Sequence, residues 1–191
     1  MAAIDVRNHR IDTKIVYYGP AQSGKTTNLI NVHKRLPQEA RGPLRSIDTV
    51  DERTLFFDFI PMQEIEVGGW NIRFHLYTVP GQIDYVRTRR AILGGADGIV
   101  FVADADPAQR EANEASMAEL HSHLEHYGKE AEKMPLIIQV NKTDLANARP
   151  VAEVSDALNS HAWPVVQAMA IRGIGVKETL ATIAKSVART L

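Results

Sequence analysis

Short apolar runs alternate with longer polar stretches along this chain. Residues 14–18 form an apolar, β-rich run that predicts a buried strand. Residues 25–36 consist of good helix formers and stop at Pro37, so they predict the helix that follows. Residues 55–60 and 72–78 are joined through a Gly-Gly pair and predict an antiparallel hairpin.

The same alternation continues to the end of the chain. The remaining predicted elements are a strand at 99–103, a polar helix at 108–127, a strand at 136–140, a helix near 151–158, a strand near 164–168 and a last helix from 176 to about 189. This order predicts an α/β fold whose mostly parallel, mixed sheet has about six strands flanked by about five helices. Residues 3–12 leave open an additional N-terminal edge strand.

Composition narrows the class of protein. The 191 residues are expected to form one domain, 1–191, with one sizeable core. A net charge of −1 gives no electrostatic reason to expect nucleic acid as a partner, and the lack of cysteine excludes disulfides and thiolate chemistry. Because no apolar run approaches the roughly twenty residues of a membrane span, we expect a cytoplasmic protein without stable membrane insertion.

The segment between the first strand and the first helix carries the strongest motif. Residues 19–26 read GPAQSGKT and fit the phosphate-binding pattern G-x-x-x-x-G-K-[ST]. Gly19 and Gly24 allow the tight turn, Lys25 offers an ammonium to phosphate oxygens, and Thr26 offers a hydroxyl to Mg²⁺. A strand, a glycine loop and a helix in this order place phosphates at a helix N-terminus.

A second motif predicts which base is bound. Asn141, Lys142 and Asp144 belong to the sequence NKTD, directly after the strand at 136–140. The Asp144 carboxylate can accept from the N1–H and the exocyclic amine of guanine together, whereas adenine presents an acceptor at N1. Asn141 is expected to brace the loop, and the Lys142 stem to lie along the base plane. The motif therefore favours a guanine nucleotide.

Two further segments carry residues suited to phosphoryl transfer. Gly81 and Gln82 belong to the sequence TVPGQ, residues 78–82, at the end of the strand at 72–78. The glycine can bring its amide to a phosphate, and the glutamine can orient water. Thr54 could complete magnesium coordination. Arg53 is either a cation that stabilises developing charge or an ordinary surface arginine, and spacing does not choose between them.

Together these motifs resemble the Ras-like small GTPases over nearly the whole chain, and within them the bacterial MglA-type proteins. The segments 14–20, 51–59, 73–82 and 138–142 all resemble that family, and the sequence TVPGQ departs from the Asp-x-x-Gly of most Ras relatives in the MglA manner. The resemblance implies the P-loop NTPase fold of a G domain, GTP or GDP as ligand, and Mg²⁺ as cofactor.

The resemblance also assigns roles to individual residues. Gln82 is the water-positioning glutamine and Arg53 the intrinsic arginine finger, while Thr26 and Thr54 are the metal ligands. Met169 and Ala170 align with the loop whose backbone amide reads guanine O6. The implied nucleotide-binding residues are Gly19, Ala21, Gln22, Ser23, Gly24, Lys25, Thr26, Thr27, Thr54, Thr78, Gly81, Asn141, Lys142, Asp144, Met169 and Ala170.

MglA-like proteins direct surface motility and cell polarity by switching between GDP and GTP. The resemblance therefore implies GTP-dependent effectors that contact the two switch segments, switch I at Thr54 and switch II at Gly81. It also implies a Roadblock-domain GTPase activator and recruitment from the cytoplasm to a cell pole.

Two residues depart from the common pattern. Thr78 replaces the usual aspartate near the magnesium ion, which predicts weaker Mg²⁺ binding in the GDP form. Ala21 stands where many relatives have glycine, and its methyl group is expected to point toward the space used by Gln82 and water. We therefore expect slow GTP hydrolysis. A GTP-binding scaffold with negligible hydrolysis is the alternative, and a P-loop kinase or ATPase is disfavoured by Asp144.

Two groups of charged or titratable residues have less specific interpretations. His121, His123 and His126 lie in the predicted polar helix, where we expect a solvated face, since structural metal sites usually need four ligands. Arg87, Arg89 and Arg90 follow Gln82; solvated charge is expected, with contact to a partner as the alternative.

Overall fold

A computed structural model describes residues 2–48, 53–59, 66–81 and 85–191. Of residues 46–48, 53–59 and 66–67 it describes the backbone. Within these ranges the strands are β1 (Ala3–Asp5), β2 (Arg10–Tyr18), β3 (Arg45–Asp48), β4 (Arg53–Phe59), β5 (Glu66–Val67), β6 (Trp70–Thr78), β7 (Gly98–Asp104), β8 (Leu136–Asn141) and β9 (Val165–Gln167).

The helices alternate with the later strands. They are α1 (Lys25–Arg35), α2 (Val86–Leu93), α3 (Arg110–His126), α4 (Val151–Leu158) and α5 (Val176–Ala188). Short 3-10 turns occur at Val6–Asn8, Gln38–Ala40, Pro107–Gln109, Ala131–Lys133 and Ala170–Arg172. None of the helices within the described ranges combines the length and the apolar character that crossing a membrane requires.

One mixed sheet contains all of these strands. Its order is β3-β4-β6-β2-β7-β8-β9, and the pairs from β6 to β9 are parallel. β4 pairs antiparallel with β6, which confirms the predicted hairpin. The prediction of a mostly parallel sheet is also confirmed, and the six predicted strands all form. β1, β3 and β5 are short additions, and β1 supplies the N-terminal strand that the sequence left open.

The sheet is covered on both faces, as a buried parallel sheet requires. Along β2, Ile15 and Tyr17 pack on one side with side chains from α1 and α5. Val16 and Tyr18 point to the other side, where α2, α3 and α4 contribute the apolar partners. Because successive side chains alternate between faces, the continuous apolar run of this strand serves two cores.

A buried polar network fixes α1 to the sheet. Asn28 and Gln139 exchange two side-chain hydrogen bonds, at 2.7 and 2.9 Å, and Gln139 also donates to Thr179 Oγ1 at 2.8 Å. All three side chains are buried. Since α1 begins at the end of the phosphate-binding motif, these bonds set the position of that motif relative to β8 and α5.

The sequence did not indicate α2. Its eight residues include the basic run at 87–90, for which the sequence predicts solvated charge, with contact to a partner as the alternative. The helix instead packs Leu93 into the core and buries Arg89. Residues 86–93 are therefore a helix packed on the core, with one arginine of the basic run buried.

Candidate functional site

The loop between β2 and α1 has the backbone that the phosphate-binding motif requires. Gly19 and Gly24 have φ values of +136° and +103°, in the region that side-chain-bearing residues rarely adopt. A Cβ on Gly19 would also collide with the carbonyl oxygen of Val102 on β7. Both glycines are therefore needed for the turn.

Lys25 lies inside this loop. Its ammonium group donates to the carbonyl oxygens of Gly19 and Pro20, at 3.0 and 2.5 Å, and the residue is 6% exposed. Removing a cation from water is costly, so a buried ammonium facing carbonyl dipoles favours an anionic ligand. Ser23 Oγ, in the same loop, is a buried hydroxyl with no hydrogen-bond partner among the described residues.

Asn141 connects the phosphate loop to the predicted base-binding loops. Its Nδ2 donates to the carbonyl oxygen of Ser23 at 2.8 Å, and its Oδ1 accepts from the amide of Ala170 at 2.8 Å. A Cβ on Gly24 would collide with the same Nδ2. Three segments that are far apart in sequence thus meet at one side chain.

The rest of the NKTD sequence surrounds this contact. Lys142 has a positive φ of 63°, and its ammonium lies 2.5 Å from Oδ2 of Asp104, a buried carboxylate at the end of β7. Thr143 donates from Oγ1 to the carbonyl oxygen of Ala168 at 3.1 Å. Asp144 follows on the surface. The loop is therefore held by its first three residues, and Asp144 is presented to solvent.

The second predicted base-binding segment adjoins Asn141. Met169 pairs with Ile174 across a tight turn, and Ala170 is buried. The amide of Ala170, which the resemblance assigns to guanine O6, donates to Asn141 in this structure. A base oxygen at this position would therefore share the donor with Asn141 Oδ1.

Gly81 closes the site from the side of β6. A Cβ on this residue would lie 2.5 Å from Ala21 Cα and 2.7 Å from Lys25 Nζ, so a larger residue would displace the loop. The segment after β6 therefore packs directly on the phosphate loop. It is the Cα and the amide nitrogen of Ala21 that lie against this position, and the direction of the Ala21 methyl group stays a prediction.

The remaining predicted residues fall in three groups. Thr26 and Thr27 form the first turn of α1 and are half-buried, and Thr78 is fully buried at the end of β6. Arg53 and Thr54 begin β4, where their backbones pair with Asp48 and Ile47. Gln82 lies outside the described residues. The structure thus brings the phosphate and base residues together and leaves the role of the predicted catalytic side chains as a prediction.

Arg89 is the residue near the site that the sequence did not identify. The guanidinium donates from Nε and Nη2 to the two carboxylate oxygens of Glu119 on α3, at 2.8 and 2.9 Å, and from Nη1 to the carbonyl oxygen of Pro80 at 3.2 Å. It is 4% exposed, so the expectation of a solvated charge is wrong for this arginine. Among the arginines of the basic run, Arg87 is exposed.

The expectation of a solvated face on α3 is also wrong for two of its histidines. His123 is 1% exposed, and its Nδ1 lies 3.2 Å from Tyr18 Oη. Burial lowers the pKa of His123 and is also the main reason why the pKa of His121 is lowered. The His121 ring lies 5.9 Å from the rings of His161 and Trp163. His126 is exposed as expected.

The donor set fits a nucleotide with Mg²⁺ held mainly through phosphate. No group of three or more His, Asp or Glu side chains within the described ranges could hold a metal ion. The threonine hydroxyls of α1 are hard oxygen ligands, and Mg²⁺ is commonly bound by a few such ligands together with substrate phosphates and water. The buried Lys25 and the Ser23 hydroxyl, which has no partner in the part of the chain that the structure describes, provide donors for an anion in the same loop.

Comparison with known proteins gives one family over nearly the full chain. Residues 3–187 match the ADP-ribosylation factor family. The chain is 46% identical over 187 residues to the mutual gliding-motility protein MglA of Myxococcus xanthus (strain DK1622), which covers 98% of this chain and 96% of that protein.

Two relatives of lower identity match 94% and 75% of this chain. ADP-ribosylation factor-like protein 6 of Caenorhabditis briggsae is 25% identical over 185 residues, covering 94% of this chain and 89% of that protein. Elongation factor 4 of Streptococcus pneumoniae (strain JJA) is 30% identical over 149 residues, but they cover only 23% of that protein. The match to the elongation factor is thus limited to part of that longer protein.

Proposed function

Since this chain belongs to the ADP-ribosylation factor family of Ras-like small GTPases, we propose that it is a guanine-nucleotide switch that controls bacterial surface motility and cell polarity. The observation that carries the proposal is Asn141, whose side chain joins Ser23 of the phosphate loop to Ala170 of the base loop. We also take the whole chain, 1–191, as one nucleotide-binding domain.

In this proposal the phosphate loop binds the nucleotide by its backbone and by Lys25. The ammonium is already buried within the loop, so a phosphate can exchange for the carbonyl oxygens that it now contacts without further desolvation of the lysine. Mg²⁺, when bound, neutralises phosphate charge, and Thr26 and Thr54 are its proposed protein ligands. Gln22, Ser23 and Thr27 complete the phosphate contacts.

The base would be recognised on the opposite side of Asn141. Asp144 accepts from the guanine N1–H and amine, Lys142 packs along the ring, and an amide at Met169 or Ala170 donates to O6. An adenine would leave Asp144 facing an acceptor, and an unsatisfied polar pair of this kind costs about 1–3 kcal/mol. Selection for guanine follows from that penalty.

Hydrolysis is proposed to be slow because Ala21 crowds the approach to the phosphates. The backbone of Ala21 lies so close to Gly81 that a Cβ added to Gly81 would overlap Ala21. Gln82 would orient the attacking water and Arg53 would stabilise the developing charge. The close approach of Ala21 and Gly81 also supports the second candidate, a scaffold locked with GTP that hydrolyses it negligibly.

The motility role comes from the Myxococcus relative, whose name describes gliding motility. We propose that the GTP form binds effectors through the two switch segments, that a Roadblock-domain activator accelerates its turnover, and that the protein moves between the cytoplasm and a cell pole. Complementation tests this role: the wild-type chain should restore gliding to M. xanthus lacking MglA, whereas a Lys25→Ala variant should not.

The biochemical proposal is tested by single-turnover hydrolysis of GTP. Wild-type protein should release phosphate slowly, and Gln82→Ala should lower the rate about tenfold or more with unchanged GDP affinity. Phosphate release absent from the wild type even with an activator would support the locked scaffold instead. Tight ATP binding with exclusion of GTP would contradict both.

A further inference from the structure

Arg89 reaches two elements other than its own helix. Its guanidinium forms a bidentate ion pair with Glu119 on α3 and also donates a hydrogen bond to the carbonyl oxygen of Pro80. A lysine could not repeat this arrangement, because its ammonium is a point charge without the planar fork of arginine. The arrangement is thus specific to arginine.

The Pro80 carbonyl belongs to the same peptide group as the amide of Gly81. Peptide groups are planar, and the described residues contain no cis peptide bond. In a trans peptide the N–H points away from the C=O. An arginine that holds the carbonyl of Pro80 therefore also sets the direction of the Gly81 amide, on the residue packed against Ala21 and Lys25.

The anchor on α3 is itself connected to the phosphate loop. Glu119 and His123 are one helical turn apart, and Glu119 Oε1 lies 3.5 Å from His123 Nε2. His123 in turn contacts the hydroxyl of Tyr18, the residue directly before Gly19. Glu119 and His123, on one face of α3, are thus connected both to the Pro80–Gly81 peptide, through Arg89, and to the end of β2, through Tyr18.

From this geometry we infer that Arg89 is a positioning residue: anchored by Glu119, it orients the Gly81 amide toward the phosphate end of the site. The inference rests on the proposed function, because the amide it orients is the one assigned to a γ-phosphate. GDP lacks that phosphate. Arg89 should therefore favour GTP over GDP and speed hydrolysis while leaving GDP binding nearly unchanged.

The test compares Arg89→Lys with Arg87→Lys, an exposed arginine on the same helix, and with Glu119→Gln. Arg89→Lys keeps the charge beside Glu119 but cannot hold both carboxylate oxygens and Pro80 together. We expect exchange of the Gly81 amide hydrogen, measured without nucleotide, to become about tenfold faster. We also expect the ratio of GTP-analogue to GDP affinity and the single-turnover rate to fall about tenfold.

Glu119→Gln should shift the same three quantities in the same direction by a smaller factor, and Arg87→Lys should match the wild type. A purely structural role would lower the melting temperature of Arg89→Lys and Glu119→Gln without changing the ratio of GTP-analogue to GDP affinity or the exchange rate of the Gly81 amide. This result would overturn the inference. If the wild type binds no guanine nucleotide, the proposed function fails, and the exchange rates still decide whether Arg89 orients the peptide.

Discussion

The Asn141 side-chain nitrogen occupies the space that a Cβ of residue 24 would need, and it donates to the carbonyl oxygen of the preceding residue, Ser23, at 2.8 Å. A glycine and an asparagine more than a hundred residues apart are thus mutually required. The phosphate motif and the NKTD motif, which are separate in the sequence, form one structural unit through this contact.

Removal of this side chain is expected to weaken the fold as well as nucleotide binding. Asn141→Ala leaves the buried Ser23 carbonyl and the Ala170 amide without their partner, which should lower the free energy of unfolding by about 2–4 kcal/mol. Urea denaturation measures the loss. Asn147→Ala, at an exposed position of the same loop, is the control and should stay within about 0.5 kcal/mol. Equal stabilities of the two variants would contradict the bridging role.

Ala21→Gly is expected to raise the single-turnover rate of GTP hydrolysis about tenfold, because it removes a methyl group from the loop residue whose backbone lies against Gly81. GDP affinity should change by no more than about twofold. Quench-flow or filter-binding measurement of phosphate release provides the rates. An unchanged rate would show that Ala21 does not limit turnover.

Thr78→Asp is expected to strengthen Mg²⁺ binding in the GDP form. The substitution supplies the negative charge that a carboxylate would contribute near the ion, worth roughly a tenfold change in Mg²⁺ affinity. The measurement is the rate of fluorescent GDP release as a function of Mg²⁺ concentration. Thr78→Ser, which keeps the hydroxyl, is the matched control. A Thr78→Asp variant whose GDP release depends on Mg²⁺ concentration just as the wild type's does would contradict the prediction that Thr78 weakens magnesium binding.

The two inward-facing histidines predict a loss of stability under mild acid. Burial holds the pKa of His123 and His121 below the ordinary value of 6.5, so near that pH the unfolded chain binds protons that the folded chain does not. The free energy of unfolding should therefore fall as the pH drops from 7.5 through 6.5. The charged or titratable groups around His123 are Glu119, Arg90, Arg89, His126 and Tyr18.

His123→Gln should reduce this pH dependence, since glutamine cannot take up the proton. Urea denaturation at pH 7.5 and 5.5 measures the difference in unfolding free energy for each protein. His126→Gln, at an exposed position of the same helix, should retain the wild-type difference. A His123→Gln variant as sensitive to pH as the wild type would assign the acid sensitivity to other groups.

The sequence predicted the elements that short-range patterns determine. The apolar run of β2, the helix formers of α1 and the helix at Val151–Leu158 all have periodicities that tertiary contacts do not override. The glycine turn and the NKTD loop were likewise recognisable, because phosphate and base chemistry demand those residue types at fixed spacing. The sequence predicts Asn141 as a brace for its own loop, and the contact with the phosphate loop appears only in the structure.

The inward direction of Arg89 and His123 could not be predicted in the same way. Each has a polar side chain whose burial depends on partners from other elements, Glu119 and the Pro80 carbonyl for the arginine and Tyr18 for the histidine. Such pairs carry no local periodicity, and an arginine on a short helix is solvated far more often than buried. The basic run at 87–90 therefore indicates solvated charge and does not predict α2.

The central claim, a site built for guanine nucleotides, is tested most directly by Asp144→Asn. Xanthine presents a carbonyl where guanine has its amine, so an asparagine amide can pair with xanthine as the carboxylate pairs with guanine. The wild type should bind GDP at least about a hundredfold more tightly than XDP or ADP, and the variant should prefer XDP. Equal binding of GDP and ADP by the wild type, or an unchanged preference in the variant, would contradict the claim.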